Sequence, residues 1–520
     1  MNAKILWADD EIDLLKPHIM FLEQKGYEVV TVNNGVDAVE QVKEQVFDVI
    51  FLDENMPGMS GLEALAQIKN HHPETPVVMI TKSEEESIMD EALGSKISDY
   101  LIKPVNPNQI LLSLKKQLDN KRLVNEKTSS NYQQEFRQLG MRLNERLDFE
   151  EWAELYKQLI FWELELEKTD DAAMKEIFIM QLNDANNQFS KFIEDNYEEW
   201  LHSKSTVEKP IQSHTLLNHY LKPILKQDQD GKPVFLIVID NLRYDQWLSI
   251  KPIISQYFRP EKEDVYYSIL PTATQYSRNA IFAGLMPSEM ERRFPKWWKN
   301  DEDEGGKNLF ENEFLLDQIK RWGMNLKSNY AKITNNGAGK KYAESINNLM
   351  NNDLNVLVYN FVDMLSHART EMEVIRELAD DESAYRSITV SWFEHSPLHD
   401  AIKQIAKNGC KVLLTTDHGT ICVNEPSKVM GYKNTNSNLR YKQGKSLDYN
   451  PKDVFEVKKP SDAMLPKQHL SSSYIFATGH KYFVYPNNYN HFVNYYKDTF
   501  QHGGISLEEV LIPAVVLNPK

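Results

Sequence analysis

Two spacings of apolar residues alternate over about the first 120 positions of the chain. Short, wholly apolar runs recur, and the stretches between them carry apolar residues at helical spacing. The runs predict five buried strands, KILWADD, YEVVTV, FDVIFLDE, PVVMIT and DYLIKPV. Because strands here alternate with helices, we expect a doubly wound parallel sheet, which binds its ligand beyond the carboxyl ends of the strands.

The pattern changes near Leu123, where glycine nearly disappears and helical spacing continues over long stretches. FEEWAELYKQLIFWELELEK and AAMKEIFIMQLNDANNQFSKFIEDNYEEWL predict a helical linker or small bundle. Five large aromatic residues in this region are interpreted as its core: Trp152, Phe161, Trp162, Phe178 and Trp200. QDQDGKP then predicts a turn. We therefore expect three domains, at residues 1–122, 123–230 and 231–520.

Metal-ligating residues follow the apolar segments of the third domain. The six candidates are Asp240 after VFLIVI, Asp363 and His367 after NVLVYNFV, Asp417 and His418 after KVLLTT, and His502 before two glycines. Three carboxylates and three imidazoles suit two zinc ions, which accept both ligand types. Taken alone, Asp240 is more readily explained as a helix N-cap, and the four-residue spacing of Asp363 and His367 often arises by chance.

A threonine in SILPTATQ precedes a predicted helix in the same domain. Zinc lowers the pKa of a nearby oxygen, and a helix N-terminus stabilises an attacked phosphate, so a hydroxyl here could act as a nucleophile. Thr272, directly after Pro271, and Thr274 are the two candidate hydroxyls. An ordinary N-cap is the alternative. Three arginines that follow are interpreted as solvated surface: Arg278, Arg292 and Arg293.

The order Asp, Thr, Asp-x-x-x-His, Asp-His-Gly, His-Gly-Gly resembles the alkaline phosphatase superfamily and, within it, the PglZ domain. The resemblance implies an alkaline-phosphatase-like α/β fold with one zinc bound by Asp363, His367 and His502. It implies a second zinc bound by Asp240, Asp417 and His418. It also implies that Thr272, which directly follows Pro271 as in the family pattern, is the nucleophile beside this zinc, with Thr274 competing for the role. A threonine nucleophile with two zinc ions is similar to the nucleotide phosphodiesterase branch, which favours cleavage of a nucleotide diester or short oligonucleotide.

Charged residues also stand at three strand ends of the first domain. They are Asp9 and Asp10, Asp53, and Lys103. Crowded carboxylates repel one another unless a hard cation lies among them, which favours Mg2+, and a lysine could hold an arriving anion. ADDE, FLDENMPGMSG, MITKS and LIKPV, in this order, resemble response-regulator receiver domains, which have a flavodoxin-like fold.

The receiver resemblance implies a role for each of these residues. Asp53 would accept the phosphoryl group, Thr81 would contact it, Lys103 would pair with it and Tyr100 would be the switching aromatic. Mg2+ would be bound by Asp9, Asp10, Asp53 and the carbonyl of Asn55. One departure is Lys82, which stands where receivers usually have a small residue and could partly cover the acceptor.

A receiver, a helical linker and a PglZ domain together resemble the PorX-type response regulators of the type IX secretion system. That resemblance implies a sensor histidine kinase, secretion components and a sigma factor as partners, and a phosphorylation-dependent homodimer. Two functions are open. The third domain is either a zinc-dependent phosphodiesterase controlled by the receiver, or a signalling and docking module in which zinc is structural.

Composition narrows the class of protein further. The net charge of -17 disfavours a broad surface for duplex DNA, whose binding depends on neutralised phosphates. Cys410 and Cys422 are the two cysteines, so a disulfide framework is not expected. The N-terminus lacks the pattern of a signal peptide, and no apolar run approaches the roughly 20 residues of a membrane span. We therefore expect a cytoplasmic protein.

Overall fold

The computed structural model describes residues 3–73, 75–82, 97–169, 171–202, 208–227, 231–371, 381–431, 435–467, 469 and 471–520. The chain divides into two compact units, Met1–Gln133 and Gln134–Lys520. Ser83 of the MITKS motif and residues 228–230 of the predicted turn lie outside the described residues. Among the helices that the structure describes, none combines the length and apolarity needed to cross a membrane.

A five-stranded parallel sheet forms the centre of the first unit. Its strands are β1 (Lys4–Ala8), β2 (Glu28–Val32), β3 (Val49–Asp53), β4 (Val77–Thr81) and β5 (Asp99–Ile102). The spatial order is β2-β1-β3-β4-β5, and all neighbours run parallel. The predicted doubly wound sheet is confirmed.

Both faces of this sheet are covered. The helices are α1 (Lys16–Gln24), α2 (Gly35–Glu44), α3 (Gly61–His71) and α4 (Pro107–Leu143), with a 3-10 turn at Ile12–Leu15. Successive side chains of a strand point to opposite faces. Leu6 of β1 accordingly lies in one apolar cluster and Trp7 in the other. β3 and β4 are buried over their whole length, as expected for central parallel strands.

The helical linker continues from α4 into α5 (Phe149–Glu167) and α6 (Ala172–His202). Asp148 caps α5 and forms a reciprocal capping box with Glu151. Trp152, Phe178 and Trp200 are buried, as predicted.

The interpretation of Phe161 as core is wrong, because its side chain is 52% exposed. It follows Ile160, which lies on the buried face, and one residue along a helix turns the side chain by about 100° away from that face. Trp162 is partly buried.

A six-stranded mixed sheet forms the centre of the second unit. Its strands are β6 (Val234–Ile239), β7 (Phe258–Tyr267), β8 (Ser328–Ile333), β9 (Leu354–Tyr359), β10 (Val412–Thr415) and β18 (Leu511–Pro519). The spatial order is β7-β18-β10-β6-β9-β8. β8, β9, β6 and β10 run parallel, and β18 is antiparallel to both β10 and β7. The predicted α/β class is confirmed.

Helices connect and cover these strands. They are α7 (Leu216–His219), α8 (Leu221–Lys226), α9 (Tyr244–Ile254), α10 (Thr274–Ala283), α11 (Pro287–Arg293), α12 (Glu311–Arg321), α13 (Asn336–Ser345), α14 (Phe361–Glu371), α15 (Glu382–His395), α16 (Pro397–Lys407), α17 (Tyr489–Tyr496) and α18 (Leu507–Val510). Short 3-10 turns occur at Ser213–Thr215, Ile346–Asn351, Pro451–Asp453 and Pro460–Ala463.

Three small sheets are formed by the chain between β10 and β18. They contain β11 (Ile421–Val423) with β17 (Thr499–Gln501), β12 (Glu425–Lys428) with β16 (Lys481–Val484), and β13 (Tyr441–Lys445), β15 (Ser472–Ala477) and β14 (Val454–Val457). β11 and β17 pair antiparallel, with Ile421 opposite Gln501. This pairing brings the chain just after His418 beside the chain that reaches His502.

A buried arginine joins the linker to the third predicted domain. Arg386 of α15 donates to Glu163 of α5 at 2.6 Å and to Glu167 at 3.0 Å. It also donates to Asp245 of α9 at 2.8 Å. Arg243 shares Asp245, through Nε at 2.9 Å. The linker and the large sheet are therefore connected by paired charges inside one compact unit.

Replacing Arg386 by methionine should destabilise this unit. The side-chain volume is largely kept, but Glu163 loses its cation, and breaking a buried pair costs about 3 kcal/mol. Urea denaturation would measure the loss. The matched control is Arg293→Met, because Arg293 pairs with Asp317 at an exposed position and such pairs contribute less than about 1 kcal/mol. Equal stabilities of the two variants would contradict the prediction.

Candidate metal and catalytic sites

The receiver-type residues meet at the carboxyl ends of β1, β3 and β5. Asp9, Asp10 and Asp53 form one carboxylate cluster whose ligand atoms lie within 4.8 Å of one another. Asp9 and Asp53 are buried. Lys103 places Nζ 3.0 Å from Asp9 Oδ2 and 2.9 Å from Asp53 Oδ1. Three carboxylates and one lysine suit a hard cation and an anionic group together.

Burial raises the pKa of Asp53 to about 6, although Lys103 acts in the opposite direction. Burial also lowers the pKa of Lys103, but its pairing with Asp53 and Asp9 outweighs that effect and the net pKa is raised. Lys103 is therefore charged in this cluster, and the Asp53 carboxyl group can lose its proton when a metal ion binds.

Four further residues of this unit were singled out in the sequence. Thr81 ends β4 and its hydroxyl donates to Glu54, while Tyr100 of β5 is 42% exposed. Asn55 is exposed two positions after Asp53. Lys82, the departure noted in the sequence, lies at the surface with Nζ 3.8 Å from Glu11.

The third-domain candidates form two triads. One contains Asp240, Asp417 and His418, all buried, and the other contains Asp363, His367 and His502. Within each triad the ligand atoms lie within 4.8 Å of one another. The His418 and His502 rings stack at a centroid distance of 4.2 Å, so the triads adjoin.

Sheet register explains the first triad. β6 and β10 are parallel neighbours, with Val238 opposite Thr415. Two residues further on, both strands have ended, and Asp240 and Asp417 stand side by side.

The second triad depends on helix α14 and on β17. Asp363 and His367 lie one turn apart on α14, so their side chains share a face, with His367 Nε2 3.5 Å from Asp363 Oδ1. His502 follows β17, and its Nε2 lies 3.8 Å from the same oxygen. Sequence spacing and a long-range strand pairing together complete this triad.

The carboxylates of the two triads favour bound cations. Burial raises the pKa of Asp240, Asp363 and Asp417, and for Asp363 the rise is large. Asp363 Oδ1 and Asp417 Oδ2 accept no hydrogen bond within the described part of the chain. Burying unpaired carboxylates is costly, and divalent metal ions remove that cost. The residues therefore fit two such ions.

The imidazoles of His418, which is buried, and His502, which is partly buried, are neutral and oriented. Burial lowers the pKa of His418 to about 4 and that of His502 to about 3. His418 Nδ1 donates to the carbonyl of Gly419 at 3.2 Å, and His502 Nδ1 donates to that of Thr272 at 3.1 Å. Each ring therefore presents an unprotonated Nε2, the form that binds metals, towards its triad.

The structure places Thr274, rather than Thr272, against the ligands. Thr274 begins α10, and its Oγ1 lies 3.0 Å from His418 Nε2 and 3.5 Å from Asp240 Oδ1. The Thr272 hydroxyl instead donates to the carbonyl of Gly504 at 2.8 Å and accepts from the amide of Gly503 at 3.0 Å. The preference for Thr272, the threonine directly after proline, is therefore corrected. The chain turns between the two residues and brings the hydroxyl of Thr274 to the ligands.

The interpretation of Arg278 as solvated surface is wrong. Its side chain is 1% exposed, with Nη1 2.6 Å from Asp240 Oδ2 and Nε 2.6 Å from Glu311 Oε1. Arg278 lies four residues after Thr274, so helix α10 presents both towards the triad. That spacing was the available signal. Arg292 and Arg293 are exposed, as predicted.

Family comparisons agree with this geometry. The family described as "BREX system PglZ alkaline phosphatase-like domain" matches residues 216–517. The chain belongs to the PglZ family. The receiver family described as "Response regulator receiver domain" matches residues 5–115, and the "PorX response regulator linker domain" matches residues 122–201. The predicted PorX-type arrangement of a receiver, a linker and a PglZ domain is confirmed.

Individual relatives match the receiver part. The transcriptional regulatory protein ZraR of Klebsiella oxytoca is 38% identical over 122 residues, which are 24% of this chain and 28% of the relative. ResD of Bacillus subtilis is 34% identical over 114 residues, 22% of this chain and 47% of ResD. The chain thus spans less than half the length of either relative.

Solved structures match the same part of the chain, the receiver. A CheY-like receiver domain from Methanospirillum hungatei has 27% identity and a TM-score of 0.23, covering 23% of this chain and 96% of its own. The chemotaxis protein CheY4 of Vibrio cholerae has 31% identity and a TM-score of 0.22, covering 22% and 98%. Alkaline-phosphatase-like domains and receivers typically bind metals, which agrees with the three carboxylate-containing clusters.

Binding of Mg2+ to the receiver cluster should depend on pH with a midpoint near 6. Below that pH the Asp53 carboxyl group is protonated, and a proton must leave before the metal binds. The apparent affinity should fall about tenfold per pH unit below the midpoint and level off above it. Calorimetric titration between pH 5 and 8 would measure this. Asp53→Asn should remove the inflection, and an unchanged inflection in that variant would contradict the assignment.

Proposed function

We propose that this response regulator has a zinc-dependent phosphodiesterase as its PglZ domain, acting on nucleotides or short oligonucleotides, with Thr274 as the nucleophile. The observation that carries the proposal is the position of the Thr274 hydroxyl, 3.0 Å from a ligand of one triad whose ring stacks on a ligand of the other. Asp363, His367 and His502 would hold one zinc ion, and Asp240, Asp417 and His418 the second.

Zinc, when bound, would lower the pKa of the threonine hydroxyl and compensate the charge that develops on the phosphate. Thr274 would attack phosphorus through Oγ1 and release one alcohol, and water would then release the second product. Because Thr274 is the first residue of α10, the positive end of the helix dipole adjoins the attacked phosphate.

The surroundings of Arg278 favour a diester over a monoester. A phosphate monoester carries a second negative charge, and an enzyme for it profits from a free cation at the site. Arg278 is the buried arginine nearest Thr274 along the chain, and its guanidinium is already paired with Asp240 and Glu311. It therefore leaves no free charge for a dianion, which suits the single charge of a diester.

The receiver would control the PglZ domain through phosphorylation of Asp53. Mg2+ would be held by Asp9, Asp10, Asp53 and the carbonyl of Asn55, with Thr81 and Lys103 contacting the phosphoryl group and Tyr100 responding to it. By resemblance to PorX-type regulators, we propose type IX secretion components and a sigma factor as partners. A phosphorylation-dependent homodimer belongs to the same proposal.

Replacing Thr274 by valine should abolish diesterase activity. Valine keeps the shape but removes the oxygen that forms the bond to phosphorus, so hydrolysis of bis-p-nitrophenyl phosphate should fall by about three orders of magnitude or more. Thr274→Ser, the matched control, retains a hydroxyl and should retain measurable turnover. Zinc content of each variant would be measured by elemental analysis.

Two outcomes would overturn the mechanism. One is a zinc-loaded Thr274→Val variant that cleaves diesters near the parental rate. The other is a rapid-quench adduct that fragmentation mass spectrometry locates on Thr272. A parental protein that binds zinc but cleaves no diester in a broad nucleotide screen would favour the docking function instead.

Asp53 should be the residue that a small-molecule phosphodonor modifies. With Mg2+ and acetyl phosphate, intact-mass spectrometry should show one phosphoryl adduct in the parent and none in Asp53→Ala, because Asp53 stands where the receiver family carries its phosphoryl acceptor. Light scattering of the same samples should show a larger mass for the phosphorylated parent only. An adduct that persists in Asp53→Ala would contradict the assignment.

A further inference from the structure

Glu509 of α18 is a fully buried carboxylate that contacts both histidine turns of the PglZ site. Its Oε1 accepts from the amide of Gly504 at 2.9 Å, two residues after His502. Its main-chain carbonyl accepts from the amide of Gly419 at 3.2 Å, directly after His418. One residue thus bonds to the turn behind each of the two stacked imidazoles.

The side chain of Glu509 is compensated by Arg440. Arg440 Nε donates to Oε1 at 3.2 Å and Nη2 donates to Oε2 at 2.6 Å, and both side chains are fully buried. Arg440 also donates to the carbonyl of Lys481. The pair is therefore fixed on both sides, and a rigid acceptor faces the amide of Gly504.

The turn that Glu509 holds is positioned by hydrogen bonds rather than by side chains of its own. Gly503 has φ +120°, which disfavours any side chain, and a Cβ there would lie 2.7 Å from Tyr441. A Cβ on Gly504 would lie 2.5 Å from the carbonyl of Ala477. Two glycines supply no packing of their own, so hydrogen bonds define the backbone that carries His502.

Thr272 completes this arrangement. Its hydroxyl bonds to Gly503 and Gly504, and its carbonyl receives His502 Nδ1. The Glu509 Oε1 lies 3.5 Å from the same hydroxyl. This gives Thr272 a structural part in the site that differs from the chemical part proposed for Thr274.

We infer that Glu509, paired with Arg440, is a positioning residue that sets the metal affinity of the Asp363, His367 and His502 triad. This inference rests on the metal sites of the proposed function. Loss of the side chain removes the bond to Gly504 but keeps the main-chain bond to Gly419. The effect should therefore fall on the His502 triad and spare the His418 triad.

The test uses the full chain stripped of zinc and titrated with Co2+, whose absorption reports its ligands, in excess Mg2+ to occupy the receiver. The main variant is Glu509→Leu with Arg440→Met, since replacing both members of a buried pair by apolar residues keeps the fold in other proteins. Glu509→Gln is the conservative variant, because its amide oxygen can still accept from Gly504. Arg386→Met controls for a general loss of stability.

The parent should bind two Co2+ ions in the PglZ domain. The double variant should bind one of them about 10 to 100 times more weakly, the usual effect of losing a partner behind a metal ligand. Its remaining absorption should match that of His502→Ala, and Glu509→Gln should restore most of the lost affinity. Arg386→Met should melt at a lower temperature yet bind both ions as the parent does.

Three results would overturn the inference: parental affinity for both ions in the double variant, equal weakening of both ions, or the same weakening in Arg386→Met. Should the double variant fail to fold, Thr272→Val against Thr272→Ser tests the same turn by the same titration. A parent that binds no Co2+ would contradict the assignment of the metal sites themselves. A parent that binds two ions but cleaves no diester would sink only the proposed function.

Discussion

The burial of three carboxylates in one small volume is the constraint on which the second unit depends. Asp240, Asp363 and Asp417 would repel one another and lose their hydration if nothing compensated them. Arg278 beside Asp240 compensates part of this charge, and the histidines are neutral and add none. The two triads can also bind two divalent cations. The side-chain contacts described around the site keep these groups close together.

Much of the site could be predicted because it lies at strand ends. The carboxyl ends of neighbouring parallel strands meet at one edge of a sheet, so an aspartate after β6 and another after β10 had to approach each other. The same reasoning located Asp9 and Asp53 in the first unit. Local helical spacing placed Asp363 and His367 on one face. In each case the position of the side chain follows from the regular geometry of a strand or a helix, which the spacing of residues along the sequence already indicates.

Other features depend on contacts that the spacing of residues in the sequence does not reveal. The choice between Thr272 and Thr274 depends on where the chain turns into α10, a matter of two residues. Arg278 is charged, and charged residues are mostly exposed, so only the positions of Asp240 and Glu311 reveal why it is buried. The position of His502 depends on pairing between β11 and β17, which are separated by more than 70 residues. Phe161 is the opposite case, a large aromatic residue that is exposed because it lies next to the buried face of its helix and not on it.

The contact between the linker and α18 has a consequence for how such chains can vary. Asn186 of α6 accepts from the amide of Leu507 at 2.8 Å and donates to both carboxylate oxygens of Glu508, and all of these groups are buried. A change at position 186 alone would remove these hydrogen bonds to the amide and to the carboxylate, so positions 186 and 508 are expected to change together. The linker is thus one wall of the PglZ domain rather than a spacer, and exchanging linkers between related chains would require exchanging α18 with them.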